Sequence, residues 1–332
     1  MKESFLEDFE NEVKNIRLYL EHIETVDDLV IKNKSVKTQN LNNFKEHMQN
    51  FKLSKKLFEY KSIIISLYGL LENTISQWIQ EHINNVSKIV SNYEQLDTKF
   101  KDNHFMLSIK LISLIMEGKN SKYEEINKED ILKKLYTSIS TQSAELNSEA
   151  YIPISGNLKH SKIIDAFKPL QINDLDSKLS SEKFKIDDLV NRRNEIGHGS
   201  KIDEILDISM YLDYTDSLKK YMAVIFEAIS EKELEYKSIH QYQQIQTIHK
   251  ILKNSILCFE LQNNSLKKGD FIIIKSAENV FFKRTIIDIQ INKKSVDNAQ
   301  TNNKLDIGID LGVGKQIKAN QTFYIKKANQ WT

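Results

Sequence analysis

The stretch Ile186–His198, IDDLVNRRNEIGH, repeats apolar side chains at a helical period and sets a permanent charge among them. At 100° per residue, Ile186, Leu189, Val190, Ile196 and Gly197 share one arc, with Arg193 in its middle. A guanidinium stays charged at physiological pH, so one turned into an apolar seam calls for a carboxylate, a phosphate or another partner. Asn194 and His198, four residues apart, share the flank of this arc, while Arg192 and Glu195 point more nearly to solvent. Gly197 permits close backbone approach beside His198, and Gly199 is placed to end the helix in a left-handed conformation. His198 then stands at a helix C-terminus, which favours its protonated form.

The same period extends outward through the chain. Residues Glu3–Glu24 space Phe5, Leu6, Phe9, Val13, Ile16, Leu18, Leu20 and Ile23 broadly as one helix face. A polar stretch, Asp27–Asn43, reads as a break. A longer helix is expected from about Leu53 to Val90, with Tyr60, Ile64, Leu67, Leu71, Ile75, Trp78 and Ile79 on a broad stripe that forms core. Further helical patterns cover Phe105–Met116, Lys128–Glu145, His160–Phe167 and Ile205–Leu234, divided by polar segments and by Pro153 and Pro169. From SILCFEL at Ser255 onward the period changes. DFIIIKS, FFKRTIIDIQI, KLDIGIDL and TFYIK are short runs of branched and aromatic residues parted by turn chemistry, and they predict a small closed barrel.

Composition agrees with that division. The 332 residues include only two prolines and nine glycines, as regular, mostly helical structure requires. One cysteine, Cys258, excludes an intramolecular disulfide, and no segment reaches the roughly 18 apolar residues of a membrane span. The N-terminus is acidic and amphipathic, unlike a signal peptide, so a cytoplasmic location is expected. The net charge of +1 hides a polarity: +6 from Lys267 to the end, +2 over Lys237–Leu266 and −7 over residues 1–236. A basic module on an acidic body suits a polyanion, and a lysine-rich solvated surface explains the same count. Lys283, Arg284, Lys293 and Lys294 are the most concentrated basic residues of the module and its candidate RNA contacts. The remaining histidines lack ligand-like spacing, so neither metal nor cofactor is expected.

The run Arg193-Asn194-Glu195-Ile196-Gly197-His198 resembles the signature of the HEPN superfamily, an Arg followed by a polar residue, a few spacers and a His. LYGLLENTISQWI, Leu67–Ile79, resembles the long helix of bacterial MAE-type HEPN-like nucleases, with Glu72 as the acid in an otherwise apolar pattern. ISGNLKHSKIIDAF, with Gly156-Asn157, resembles the segment that precedes the Arg-His helix in that group. The resemblance covers roughly the first two-thirds of the chain. LKKGDFIIIKS, KRTIIDIQINKKSVDNAQ and KLDIGIDL resemble the second domain of translational GTPases of the elongation factor Tu type, without a GTPase domain.

These resemblances imply a mostly α chain, a HEPN-type helical bundle followed by a small all-β barrel. The division is 1–236 for the helical nuclease domain, 237–254 for a helical linker and 255–332 for the barrel. They also imply a homodimer that brings two Arg-His motifs together as a metal-independent endoribonuclease of a toxin or phage-defence system. Arg193, Asn194 and His198 would carry the chemistry, with Glu72 and Gly197 in support. The barrel would select RNA, tRNA included, or sense an antitoxin or phage-derived trigger. The family also has members that only bind or regulate, which makes a non-catalytic module contacting RNA or a translation component the alternative. A core-stabilising Arg-His pair in an unrelated helical adaptor is a third.

Overall fold

The computed structural model describes residues 3–32, 39–118, 126–152, 157–202 and 204–328, with side chains in the first two helices described at 4–26 and from 54 onward. Among the described residues eight α-helices come first: α1 Glu3–Lys32, α2 Gln39–Ile89, α3 Thr98–Glu117, α4 Lys128–Ser140, α5 His160–Phe167, α6 Leu175–Lys178, α7 Lys183–Gly197 and α8 Ile208–His240. The chain forms two compact units, one of Met1–Asn84 with Leu96–Ala228, the other of Asn85–Gln95 with Ile229–Thr332.

In the first unit the expected stripe of α2 is buried, from Tyr60 through Ile79. Trp78 lies at its centre, edge-on to Phe9 of α1 at 6.1 Å and to Phe226 of α8 at 5.5 Å between ring centroids. The break expected over Asp27–Asn43 is smaller than its polarity suggested, since α1 runs to Lys32 and α2 begins at Gln39. That stretch holds no Gly or Pro, and long polar side chains propagate a helix as readily as apolar ones. Pro153 and Gly156 lie outside the described residues. Helix α3 starts about two turns before its apolar pattern because Asp97 caps it, accepting from Phe100 N at 2.9 Å, and it ends on Gly118 at φ 63°.

The described residues of the second unit form nine strands: β1 Tyr242–Gln244, β2 Ile248–Leu252, β3 Ile256–Lys267, β4 Phe271–Lys275, β5 Phe281–Thr285, β6 Asp288–Ile291, β7 Lys294–Val296, β8 Asn298–Asp310 and β9 Thr322–Lys326. The closed barrel expected from their alternation is not formed. They make two antiparallel sheets, of order β1-β9-β4-β5 and β2-β3-β8-β6-β7. Both contribute to one core that includes Leu257, Phe259, Ile272, Ile274, Ile309 and Phe323. Alternation specifies a half-buried face, and two stacked sheets satisfy that without the edge-to-edge pairing that closure demands. The helical linker expected over 237–254 stops at His240. Tyr242–Gln244 is drawn into a strand by Tyr324–Lys326, a partner far along the chain, and the Tyr242 ring packs on Phe271 at 5.6 Å.

Candidate functional site

Helix α7 buries Ile186, Leu189 and Val190 and emerges toward solvent over its last two turns. It ends as its glycines foretold. Gly199 takes φ 67°, its N–H donates to Ile196 O at 3.2 Å, and Ser200 N donates to Glu195 O at 3.0 Å. This pair of bonds is a Schellman termination, and it leaves the His198 side chain exposed at the helix end.

Arg193 is half-buried, and its guanidinium meets an aromatic ring and an amide. Its guanidinium carbon lies 4.8 Å from the centroid of the Tyr68 ring on α2, and its Nη1 donates to Asn194 Oδ1 at 3.3 Å. The aromatic face attracts the cation without using its N–H donors. Tyr68 is buried, and its hydroxyl accepts from Leu158 N at 3.4 Å. Burial raises the Tyr68 pKa and Glu72, one turn along α2, raises it further, against the Leu158 N–H and Arg193. The phenol therefore stays protonated. Asn194 Nδ2 donates to Asn157 Oδ1 at 3.2 Å, and a Cβ on Gly197 would stand 4.0 Å from Arg193 Nη1.

The next arginine behaves oppositely. Arg192, read from the helical wheel as solvent-directed, is held by acids and phenols. Nε donates to Asp188 Oδ2 at 2.9 Å and to the Tyr214 hydroxyl at 3.1 Å, Nη2 to Glu204 Oε2 at 3.0 Å and Nη1 to the Tyr60 hydroxyl at 3.4 Å. Burial alone would lower its pKa, but the bonds to Tyr60, Asp188 and Glu204 outweigh it and drive the value upward. Arg192 is a brace between α7, α2, α8 and the segment that contains Glu204. Sequence reasoning missed this shell, and missed Tyr68 although it lies four residues before Glu72 in the same run.

A second fastening sets the loop that carries Asn157. His160 opens α5 fully buried, with Nδ1 2.9 Å from the Tyr221 hydroxyl and Nε2 2.8 Å from Asp176 Oδ1. Its backbone N donates to Asp187 Oδ1 of α7 at 2.7 Å. Asp187 and Asn194 thus tie the start of α5 to α7 at two points, two turns apart on the helix.

The basic residues of the second unit are dispersed. Lys283 is on β5, in the four-stranded sheet, with its Nζ 6.0 Å from the Phe271 ring centroid. Lys293 and Lys294 form the exposed turn from β6 into β7, in the five-stranded sheet. Arg284 is buried, and its guanidinium donates to the carbonyls of Lys315, Leu311 and Gly312. It is committed to its own domain's loop, a placement at odds with the RNA contact expected of it. Among the described residues no helix is long and apolar enough to cross a membrane, and no three His, Cys, Asp or Glu side chains are grouped to hold a metal ion.

Residues 33–231 match the family model described as RiboL-PSP-HEPN. No curated protein matches the chain.

Proposed function

Because the chain belongs to the RiboL-PSP-HEPN family, we propose that it is an endoribonuclease whose reacting groups are Arg193, Asn194 and His198. One observation carries this reading: Arg193 is held from below by the Tyr68 ring, leaving guanidinium donors for an anion, with an amide beside it and an exposed imidazole one turn on. A phosphodiester fits those donors. The ribose 2′-oxygen attacks the adjacent phosphorus and the bond to the 5′-oxygen breaks. One base removes the 2′-proton, one acid protonates the leaving oxygen, and the products are a 2′,3′-cyclic phosphate and a 5′-hydroxyl. Arg193 neutralises charge on the phosphorane-like transition state, which removes the need for a metal ion.

Two proton transfers at opposite ends of the reacting phosphate suit two imidazoles better than one. A homodimer that brings a second His198 to the site supplies them. Phe58, Ile65 and Phe184 support this: they are exposed apolar side chains on the helices that carry Tyr68 and Arg193. The basic β unit, with its resemblance to the second domain of translational GTPases, then presents RNA or receives a trigger. A toxin or phage-defence setting, with an antitoxin or phage protein as partner, follows from the family resemblance.

The deciding experiment incubates the purified chain with total RNA in excess chelator and analyses the fragment ends. Cyclic-phosphate ends from the wild type, absent with His198→Ala, are expected. Intact RNA, with the protein still binding it, would replace the nuclease by a non-catalytic RNA-binding module.

A further inference from the structure

The longest ladder of the second unit, β3 with β8, is interrupted once. Gln262 pairs with Lys304 but Asn264 pairs with Thr301, so Asn263 alone stands opposite Asn302 and Asn303. Asn263 adopts φ 44°, which asparagine tolerates better than most residues. Asn264 is buried and locks the irregularity: Nδ2 donates to Lys326 O at 2.8 Å and Oδ1 accepts from Ser265 N at 2.8 Å. This bulge is built into the core and tied to the end of β9.

Beyond it opens a cleft of about 670 Å³. Its walls follow the strand alternation: Leu266 and Ala299 turn into the core, while Ser265 faces Gln300 and Lys267 faces Asn298 on the outside. Asn263, Ser265, Lys267, Asn298, Gln300 and Asn302 offer amide, hydroxyl and ammonium groups whose side chains have no hydrogen-bond or ion-pair partner among the described residues. On the other side of the bulge the same ladder satisfies itself, Lys304 and Gln262 with Glu260, and His249 with Asp306. The acid in the cleft, Asp270, accepts from Lys267 N and is outnumbered by Lys267, Lys326 and Lys327, which leave the site positive.

We propose that this cleft binds an unpaired stretch of RNA. The inference rests on the reading of the protein as one that acts on RNA. Each primary amide presents a donor and an acceptor side by side, the pairing that base edges require, and the lysines at the rim meet the phosphates. Asn298, Gln300 and Asn302 recur at every second residue of β8, roughly 7 Å apart, on the scale of one extended nucleotide. A peptide would need pockets for apolar side chains, and among the lining residues only Leu266 and Ala328 are apolar. No aromatic ring lines the cleft, so recognition runs through base edges rather than stacking and is sequence-selective.

The test measures binding of labelled single-stranded oligoribonucleotides of mixed sequence to the full chain carrying His198→Ala, so that nothing is cleaved. Replacing Asn298, Gln300 and Asn302 together by alanine is expected to weaken the preferred sequence at least about tenfold and to erase the preference. Lys267→Glu with Lys326→Glu should weaken all sequences alike and flatten the salt dependence. Unaltered affinity and preference in the amide variant, with its sheet signal intact by circular dichroism, would overturn the proposal. So would absence of RNA binding by the parent chain. A chain that binds through the cleft yet cuts nothing when His198 is present would sustain the cleft and remove the nuclease.

Discussion

The guanidinium of Arg193 rests on the ring of Tyr68, cation over π face, with the ring buried and the cation half-exposed. This contact sets the direction of the arginine without neutralising it, and the Tyr68 hydroxyl receives Leu158 N–H next to the residue that holds Asn194. One side chain therefore positions Arg193 directly and Asn194 by way of the segment that holds Asn157.

Tyr68→Phe keeps the ring and leaves Leu158 N without its acceptor. Expected is a stability loss of about 1 kcal/mol with a small fall in cleavage rate. Tyr68→Leu removes the π face, and cleavage should fall roughly tenfold or more through kcat rather than KM. Fluorinated phenylalanines of graded ring quadrupole at position 68 should grade the rate in the same order. A rate that ignores that series would make Tyr68 a packing residue only.

The adjacent arginines should separate cleanly. Arg193→Ala is expected to abolish cleavage, a loss of at least about a hundredfold, with little change in thermal unfolding. Arg192→Ala abandons Asp188, Glu204, Tyr60 and Tyr214, and should cost about 2 kcal/mol, discounted for the exposure of both carboxylates. Unfolding curves and cleavage assays on the two variants check this, and equal destabilisation would erase the distinction between reacting and bracing arginine.

Exposed His198 contributes to the helix end through its backbone. His198→Ala should leave stability within about 0.5 kcal/mol of wild type while cleavage drops by about a hundredfold. Chains mixed after verified subunit exchange should lose activity out of proportion to dilution. Strictly proportional loss would mean that each site works alone.

Acid should weaken the helical unit through His104. Its Nε2 accepts from Asn147 N at 3.0 Å in a buried setting, and burial lowers its pKa from 6.5 to about 4. Between those values the unfolded chain takes up a proton that the folded chain refuses, so stability falls as pH drops from 6.5 to 4 and is unaffected above. The full loss is about 3 kcal/mol. Urea unfolding at pH 7, 5.5 and 4 measures it, and His104→Gln should flatten that slope.

In the second unit, Arg284→Met should lower stability by about 2 kcal/mol by stranding three carbonyls, and should leave the salt dependence of RNA binding as in the wild type. Gly314 lies against the guanidinium: at φ 150°, a Cβ there would stand 3.0 Å from Arg284 Cζ. Gly314→Val should therefore copy the arginine variant.

Periodic features were legible in the sequence and long-range pairings were not. The α2 stripe, the Gly199 termination and the main strands follow from local spacing, which one window of sequence contains. The helical wheel turned Arg192 toward solvent and Arg193 into the seam, and it could not see Tyr60, Tyr214 and Glu204 converge on the first, or Tyr68 beneath the second. Strand β1 escaped notice because its glutamines favour a helix locally and yield only to a partner some eighty residues on. Charge clustering pointed to Arg284 as a surface group, since sequence proximity to Lys283 says nothing about the opposite faces of a strand.

The division between the units falls inside α2 and inside α8, and the β-bearing unit includes Asn85–Gln95 from the far side of α3. Asn85 Nδ2 donates to Glu233 Oε1 at 3.0 Å within that unit. A gene segment that encodes only the strands therefore lacks Asn85–Gln95 and the end of α8, so a truncation meant to isolate this unit has to keep both stretches.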